Sequence, residues 1–237
     1  MNSSEEITPV QNRRLQESNF GSLADFMDRS DVPCFVRDND SKFLYINPPG
    51  LFFLNLPSNF KIHGKGDEDI PAGWASFTEQ FKKQDRIAEC SGKSSSIISI
   101  QLYNFKKEPE PFFCPKTPLY SGNECVGTVG YANKLMFIST PDFIDKKKPF
   151  VLSSQPPNDL FTKKELNVIF WMLQRLSSKE VAKRLNLSHR TVENTLQTIY
   201  QKANVHSFIK FIEYCKYSGF ESYVPPEFIR EEVNFVR

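Results

Sequence analysis

Metal and disulfide chemistry have little to be built from in this sequence. Its five cysteines, Cys34, Cys90, Cys114, Cys125 and Cys215, form an odd, scattered set with no Cys-x-x-Cys pair. They read as small buried hydrophobes in a reducing compartment, not as a disulfide frame or a zinc site. Histidine is scarcer still, with only His63, His189 and His206. No run approaches the ~18 apolar residues that cross a bilayer, and the opening Met1-Asn2-Ser3-Ser4-Glu5-Glu6 has neither a basic nor an apolar leader segment. The expectation is a cytoplasmic protein without a membrane partner. Gly64-Lys65-Gly66 is too short for a phosphate-binding fingerprint and reads as a surface loop, as do the carboxylates Asp67, Glu68 and Asp69 beside it. No nucleophile-base-acid set is visible, so no catalytic residue is assigned and the chain reads as a non-enzyme.

What is present is concentrated between Phe161 and Ile212. Val192, Leu196, Ile199 and Ala203 recur at three- and four-residue spacing, which puts them on one buried stripe of a helix. The face left outside holds His189, Arg190, Glu193, Asn194, Gln197 and Gln201, side chains able to read base edges. Two capping boxes precede it, Thr162-Lys163-Lys164-Glu165 and Ser177-Ser178-Lys179-Glu180, each predicting a helix start. Asn186-Leu187-Ser188 leaves three residues to turn the chain, with Ser188 as the next N-cap. Short helix, tight turn and longer polar-faced helix make a helix-turn-helix. From Phe161 to Lys210 nine basic residues face three glutamates, a net charge of about +6 within a chain that totals +2, as approach to phosphates requires.

These residues, with Leu176-Ser177-Ser178-Lys179-Glu180-Val181-Ala182, Thr191-Val192-Glu193-Asn194 and Lys202-Ala203-Asn204-Val205, resemble the LuxR/FixJ-type DNA-binding domain. The resemblance implies that Glu193, Asn194 and Gln197 enter the major groove of double-stranded DNA, and that Lys179, Arg190, Thr191 and Lys202 contact phosphates. Arg175 and Asn204 stand where that family usually has glycine, and Thr195 stands where histidine is common.

The 237 residues, 39% hydrophobic with 22 Phe, suffice for a second domain. Leu15, Leu23, Phe26 and Met27 give a helical stripe, for packing on a sheet or on a second subunit. Val32–Arg37 and Lys42–Ile46 read as a hairpin. Helical stretches through Leu56 and around Trp74, Phe77, Phe81 and Ile87 follow, then strand-like runs Ser95–Tyr103, Pro111–Leu119 and Cys125–Leu135. This order is α+β, an antiparallel sheet with helices on one face. The order, with Val32-Pro33-Cys34-Phe35-Val36-Arg37-Asp38, Gly64-Lys65-Gly66-Asp67-Glu68-Asp69-Ile70-Pro71 and Lys116-Thr117-Pro118-Leu119 leading to Val126-Gly127-Thr128, resembles a PAS sensor domain. That implies five strands curved over a pocket and a dimerising N-terminal helix. PAS domains can hold haem or flavin, but the only histidine at hand is His63 in a Gly-flanked loop, and the Asn-Cys-Arg-Phe-Leu-Gln motif of flavin photosensors is absent. No cofactor is expected.

A small organic ligand fits better, with Tyr45, Trp74, Phe112 and Lys116 as wall and anchor; an aromatic core without a hole is the alternative. Strand alternation places Phe112 and Lys116 on one face, where a buried ammonium favours a ligand oxygen or an internal carboxylate. The expected domains are an N-terminal tail or helix at 1–20, the PAS sensor at 21–139, a linker at 140–158, the helix-turn-helix domain at 159–217 and an extension at 218–237. The resulting expectation is a homodimeric bacterial transcription regulator controlled through its PAS domain, of the autoinducer-receptor or conjugal-transfer-activator type. The alternatives are a helix-turn-helix module that binds another regulator, and a phosphorylation-controlled response regulator.

Overall fold

Alternation and capping residues set the elements of two compact units. The computed structural model describes residues 21–138, 140–144, 146 and 148–236; the tail expected at 1–20 lies outside them. One unit runs to Lys134 and takes the chain back from Glu231, and the other spans Leu135–Arg230. Among the described residues no helix is long and apolar enough to cross a membrane.

The sheet unit begins with helix α1 (residues 21–28), the hairpin β1 (Cys34–Arg37) and β2 (Phe43–Ile46), and the short helix α2 (Pro48–Phe53). Two 3-10 turns, Asp67–Asp69 and Gly73–Phe77, lead into α3 (Thr78–Ser91), and then come β3 (Ser95–Gln101), β4 (Glu110–Ser121), β5 (Glu124–Tyr131) and β6 (Asn133–Lys134). The strand order is β2-β1-β5-β4-β3, every pair antiparallel, and β6 pairs with β4. A response-regulator receiver needs alternating strands and helices; consecutive antiparallel strands exclude it.

Asn47, fully buried, joins the pieces. Its amide donates to the carbonyls of Met27 and Val32, while its oxygen accepts from the amides of Cys34 and Gly50 and so caps α2. Helix α1 packs on its own sheet: Met27, with Leu23 beside it, meets Cys34, Val36, Leu44 and Tyr45 on the face away from α2 and α3. The larger core, with Phe35, Phe43, Phe53, Trp74, Phe81, Ile97 and Phe112, fills the other face. Gly127, at φ +143°, is required where β5 meets β1, since a Cβ there would lie 1.9 Å from the Arg37 carbonyl oxygen.

The helical unit starts with the strands β7 (Met136–Phe137) and β8 (Phe150–Val151), paired with each other, and helix α4 (Thr140–Ile144) between them. From residue 140 on, this stretch is where a partly extended linker was expected. Four helices follow: α5 (Lys163–Leu173), α6 (Ser178–Leu185), α7 (His189–Lys202) and α8 (Phe208–Tyr217). Both capping boxes are formed, at Thr162/Glu165 and Ser177/Glu180, and Ser188 caps α7. Left-handed residues end three of the helices, Arg175 at φ 59°, Asn186 at 54° and Asn204 at 53°; only the arginine is unusual in that region.

The extension beyond α8 belongs to both units. Phe220 and Tyr223 are buried in the helical core, and Phe228 packs on Phe170 and Trp171. The chain then forms a last strand, β9 (Glu232–Phe235), antiparallel to β3 at the sheet edge. The five expected strands thus gain an edge strand from the C-terminus, whose Val233 and Phe235 pack against the larger core.

Candidate ligand cavity and nucleic-acid interface

Phe35 and Arg37 of β1, Ile97 of β3, and Cys114 and Lys116 of β4 line a cavity with Trp74, Phe81 and Gln84 from the covering helices. Its volume is about 30 Å³. The walls are mostly apolar, but they hold a buried charge network. Arg37 donates to both carboxylate oxygens of Asp67, at 2.6 and 2.7 Å, and lies 3.8 Å from Asp85. Lys116 Nζ lies 2.6 Å from Asp85 and donates to the Phe81 carbonyl at 3.1 Å. Thr128 donates to the same Asp85 oxygen at 2.8 Å. The Arg37 guanidinium also lies 4.1 Å from the ring centroid of Phe43.

Two cations and two carboxylates balance in this network, which is how charge survives burial. Burial alone would raise the Asp85 carboxyl, but Lys116 and Arg37 hold it below the ordinary value. Burial, with repulsion from Arg37, brings the Lys116 ammonium down to about 8 against the pull of Asp85 and Asp67. At neutral pH both partners are ionised. Burial also pushes the Cys114 thiol up to about 12, leaving it a neutral wall group.

Of the four residues expected at a ligand, Trp74 and Lys116 line the cavity. Phe112 sits one layer behind it, its ring against Phe53 and Tyr103. Tyr45 does not belong there: it packs with Val36 on the opposite face, its hydroxyl donating to Asp28. The cause is a register shift between Val36 and Arg37, so that Phe43 pairs with Arg37 and Tyr45 with Val36. Lys116 has the internal carboxylate that its burial called for. Asp67, expected in a solvated loop, is fully buried against Arg37, while its neighbour Glu68 stays outside with Lys82. The buried polar cluster that the residues alone did not point to is therefore Arg37, Asp67, Asp85 and Gln84. Arg37, following Phe35 at strand spacing on an otherwise apolar run, was the one available signal.

In the helical unit, α7 buries Val192, Leu196 and Ile199 and exposes His189, Arg190, Thr191, Glu193, Asn194 and Gln197. Its first turn is held by the Ser188 hydroxyl, which accepts from the Thr191 amide at 3.0 Å and shares a 2.7 Å hydrogen bond with the Thr191 hydroxyl. Glu193 lies 3.2 Å from His189, one turn back. Thr195 turns its hydroxyl onto the Thr191 carbonyl at 2.8 Å. Lys179 is exposed in the first turn of α6. Lys202 is engaged differently from the others: its ammonium bonds Glu165, the glutamate of the first capping box, at 2.7 Å. That pair ties the end of α7 to the start of α5. A groove of about 340 Å³ runs between these helices, lined by Thr162, Lys164, Thr191, Asn194 and Thr198 among others.

Comparison with known proteins agrees with this geometry. Residues 159–215 match the family described as bacterial regulatory proteins, luxR family (GerE). The Fimbriae Z protein of Escherichia coli K12 is 33% identical over 57 residues, 24% of this chain and 27% of that protein; the chain spans about a quarter of the length of the curated relatives it matches. Two solved structures resemble the chain along most of its length. The phage VqmA–DPO complex superposes with a TM-score of 0.68 at 22% identity, covering 95% of this chain and 99% of that one. The Vibrio cholerae VqmA–ligand–DNA complex gives 0.71 at 19% identity, covering 92% and 96%. The fold is thus a PAS-type antiparallel sheet unit with a C-terminal LuxR-type helix-turn-helix.

Proposed function

We propose that this chain is a cytoplasmic, ligand-responsive transcription regulator and not an enzyme, its helical unit binding promoter DNA and its sheet unit sensing a small molecule. The observation that carries the reading is α7: a luxR-family helix whose apolar stripe is buried while Arg190, Glu193, Asn194 and Gln197 stand outward in a strongly basic domain. Amide and guanidinium side chains at such positions pair with base edges, and Lys179 and Arg190 supply phosphate contacts. Lys202, already bound to Glu165, contributes chiefly by holding the helices in register.

The ligand enters the sheet cavity. Its present volume, about 30 Å³, holds on the order of two water molecules, whereas a benzene-sized ring needs ~150 Å³. Binding therefore opens the wall, and Trp74 and Phe81 are the large side chains available to move. DPO, the molecule bound by phage VqmA, is the first candidate to test.

The protein acts as a homodimer. Phe26 of α1 and Ile209 of α8 are strongly exposed apolar side chains, while Leu23 and Phe211 pack inward. A dimer sets two reading helices about 34 Å apart and asks for a two-fold operator.

The test is DNA binding by the full chain at several salt concentrations, on selected promoter fragments and on random DNA. Asn194→Ala should cost about 1–3 kcal/mol on specific DNA only. Lys179→Ala should weaken all sequences alike and reduce the salt slope by about one. Equal losses from both variants on both DNAs would overturn the assignment of α7 to the groove, whereas no salt-dependent DNA binding at all would point instead to a module that binds another protein.

A further inference from the structure

We propose that the turn after β3 and the end of α2 form the door of the sheet cavity, latched by Asn55 and biased towards opening by a strained Phe105. This rests on the sheet cavity being the ligand site. Much of the cavity is framed by elements that are tied down. β1, β3 and β4 each pair with a strand on both sides. Helix α3 is bound to the sheet by the Gln84 amide, which donates to the Ser95 and Cys114 carbonyls at 2.9 and 2.7 Å, and by Lys116, which reaches the Phe81 carbonyl and Asp85. One wall lies outside the sheet: Phe53 and Leu54 at the end of α2, and Tyr103 just beyond β3. Its two sides meet through a few hydrogen bonds. Asn55 Nδ2 donates to the Leu102 carbonyl at 2.6 Å and its Oδ1 accepts from the Phe105 amide, while the Asn104 amide donates to the Phe53 carbonyl at 3.1 Å.

Inside, the Phe53 and Tyr103 rings stack with centroids 4.0 Å apart and line the cavity. Outside, the rings of Phe52 and Phe105 meet at 5.4 Å, each more than half exposed. One aromatic pair thus faces the cavity and the next faces solvent, so parting the two sides opens a path between them. The backbone here is strained. Asn55, Asn104 and Phe105 all lie in the left-handed region, at φ 62°, 54° and 56°. Asparagine tolerates that region, but a phenylalanine there is an outlier held by its surroundings. Breaking the Asn55 bonds frees Phe105 to relax, which lowers the cost of the open state, and remaking them restores the closed one. Hydrogen bonds set against stored strain make a two-state element.

Two native thiols report on the door. Cys114 lines the cavity, and Cys34 is buried in the smaller core on the opposite face of the same sheet. Burial raises both thiols, so each reacts only when its surroundings part. The full chain is treated with methyl methanethiosulfonate, small and neutral, and both cysteines are followed by peptide mass spectrometry. No ligand is present, so a ligand site elsewhere would leave these rates as they are, and the door stands or falls by itself. Asn55→Gly keeps the left-handed backbone and removes both side-chain bonds. Cys114 should then react on the order of tenfold faster, with Cys34 unchanged. An unchanged Cys114 rate, or equal acceleration of both thiols in a folded variant, would overturn the door. If Asn55→Gly does not fold, the surface change Phe52→Ala decides: a severalfold faster Cys114 against a constant Cys34 supports the proposal, and an unchanged Cys114 overturns it.

Discussion

The two units handle polar side chains in opposite ways. In the sheet unit Arg37, Asp67, Asp85 and Lys116 are withdrawn from water and matched against one another. In the helical unit the side chains proposed to meet DNA, Lys179, Arg190, Glu193, Asn194 and Gln197, are all exposed. A buried charge must be paired where it is made, so the network fixes a cavity before any ligand arrives. Exposed charges keep their freedom until a partner supplies phosphates and base edges. Damage should follow the same division: stability in the sheet unit, recognition in the helical unit.

The chain's two tryptophans allow the division to be measured, since Trp74 lies in the sheet core and Trp171 in the helical unit. The largest effect is expected from Asp85→Ala. It leaves Lys116 and Arg37 with a single carboxylate between them, a loss of about 3–5 kcal/mol. Urea unfolding of a Trp171→Phe background should show the Trp74 transition shifted to low denaturant, while Trp171 in a Trp74→Phe background keeps its midpoint. The folded Asp85 carboxyl lies below its ordinary 3.8. Its stabilisation is thus complete above about that pH and is lost as pH falls through the folded value, so wild type and variant should converge in acid. Coincident shifts of both tryptophans would mean that the units do not divide the load.

Next in size is removal of β9 by ending the chain after Arg230. Val233 and Phe235 are half-buried on the larger core, and their loss should cost the sheet unit about 2–3 kcal/mol. It also uncovers the β3 edge, an open template for pairing with other chains. Phe220, Tyr223 and Phe228 remain in place, so the helical unit should unfold as before. An unchanged Trp74 midpoint would reduce β9 to an ornament of the edge.

The same contrast explains what could be read from the residues alone. Caps and helix stripes are written within a few residues of one another, and in the helical unit each expected helix start is where its capping box or, for α7, its N-cap Ser188 put it. The α+β order and the shared face of Phe112 and Lys116 were legible for the same reason, as strand alternation is local. The network was not. Arg37 and Asp67 are 30 residues apart, and Lys116 and Asp85 are 31 apart. Nothing near Asp67 distinguishes it from Glu68, which points outward. A register shift of one residue sent Tyr45 to the far face. The role of the extension was hidden because β9 finds β3 only in the folded chain.

The smallest effect sharpens the comparison most, because it separates stability from recognition on a single residue. Ser188 caps α7 through the Thr191 amide, and the residues beyond it are those proposed to meet DNA. Ser188→Ala should cost the helical unit about 1 kcal/mol, read as a shift of the Trp171 transition alone. DNA affinity should also fall, since Arg190 and Thr191 stand in the turn that loosens. Ser188→Asp keeps an oxygen that accepts from the same amide and places a negative charge at the helix N-terminus, so the Trp171 midpoint should return. Beside a phosphate, however, that charge is repelled, and DNA binding should drop below that of Ser188→Ala, most at low salt. If Ser188→Asp restores both stability and DNA binding, the start of α7 does not face the DNA backbone, and the interface must be moved along the helix.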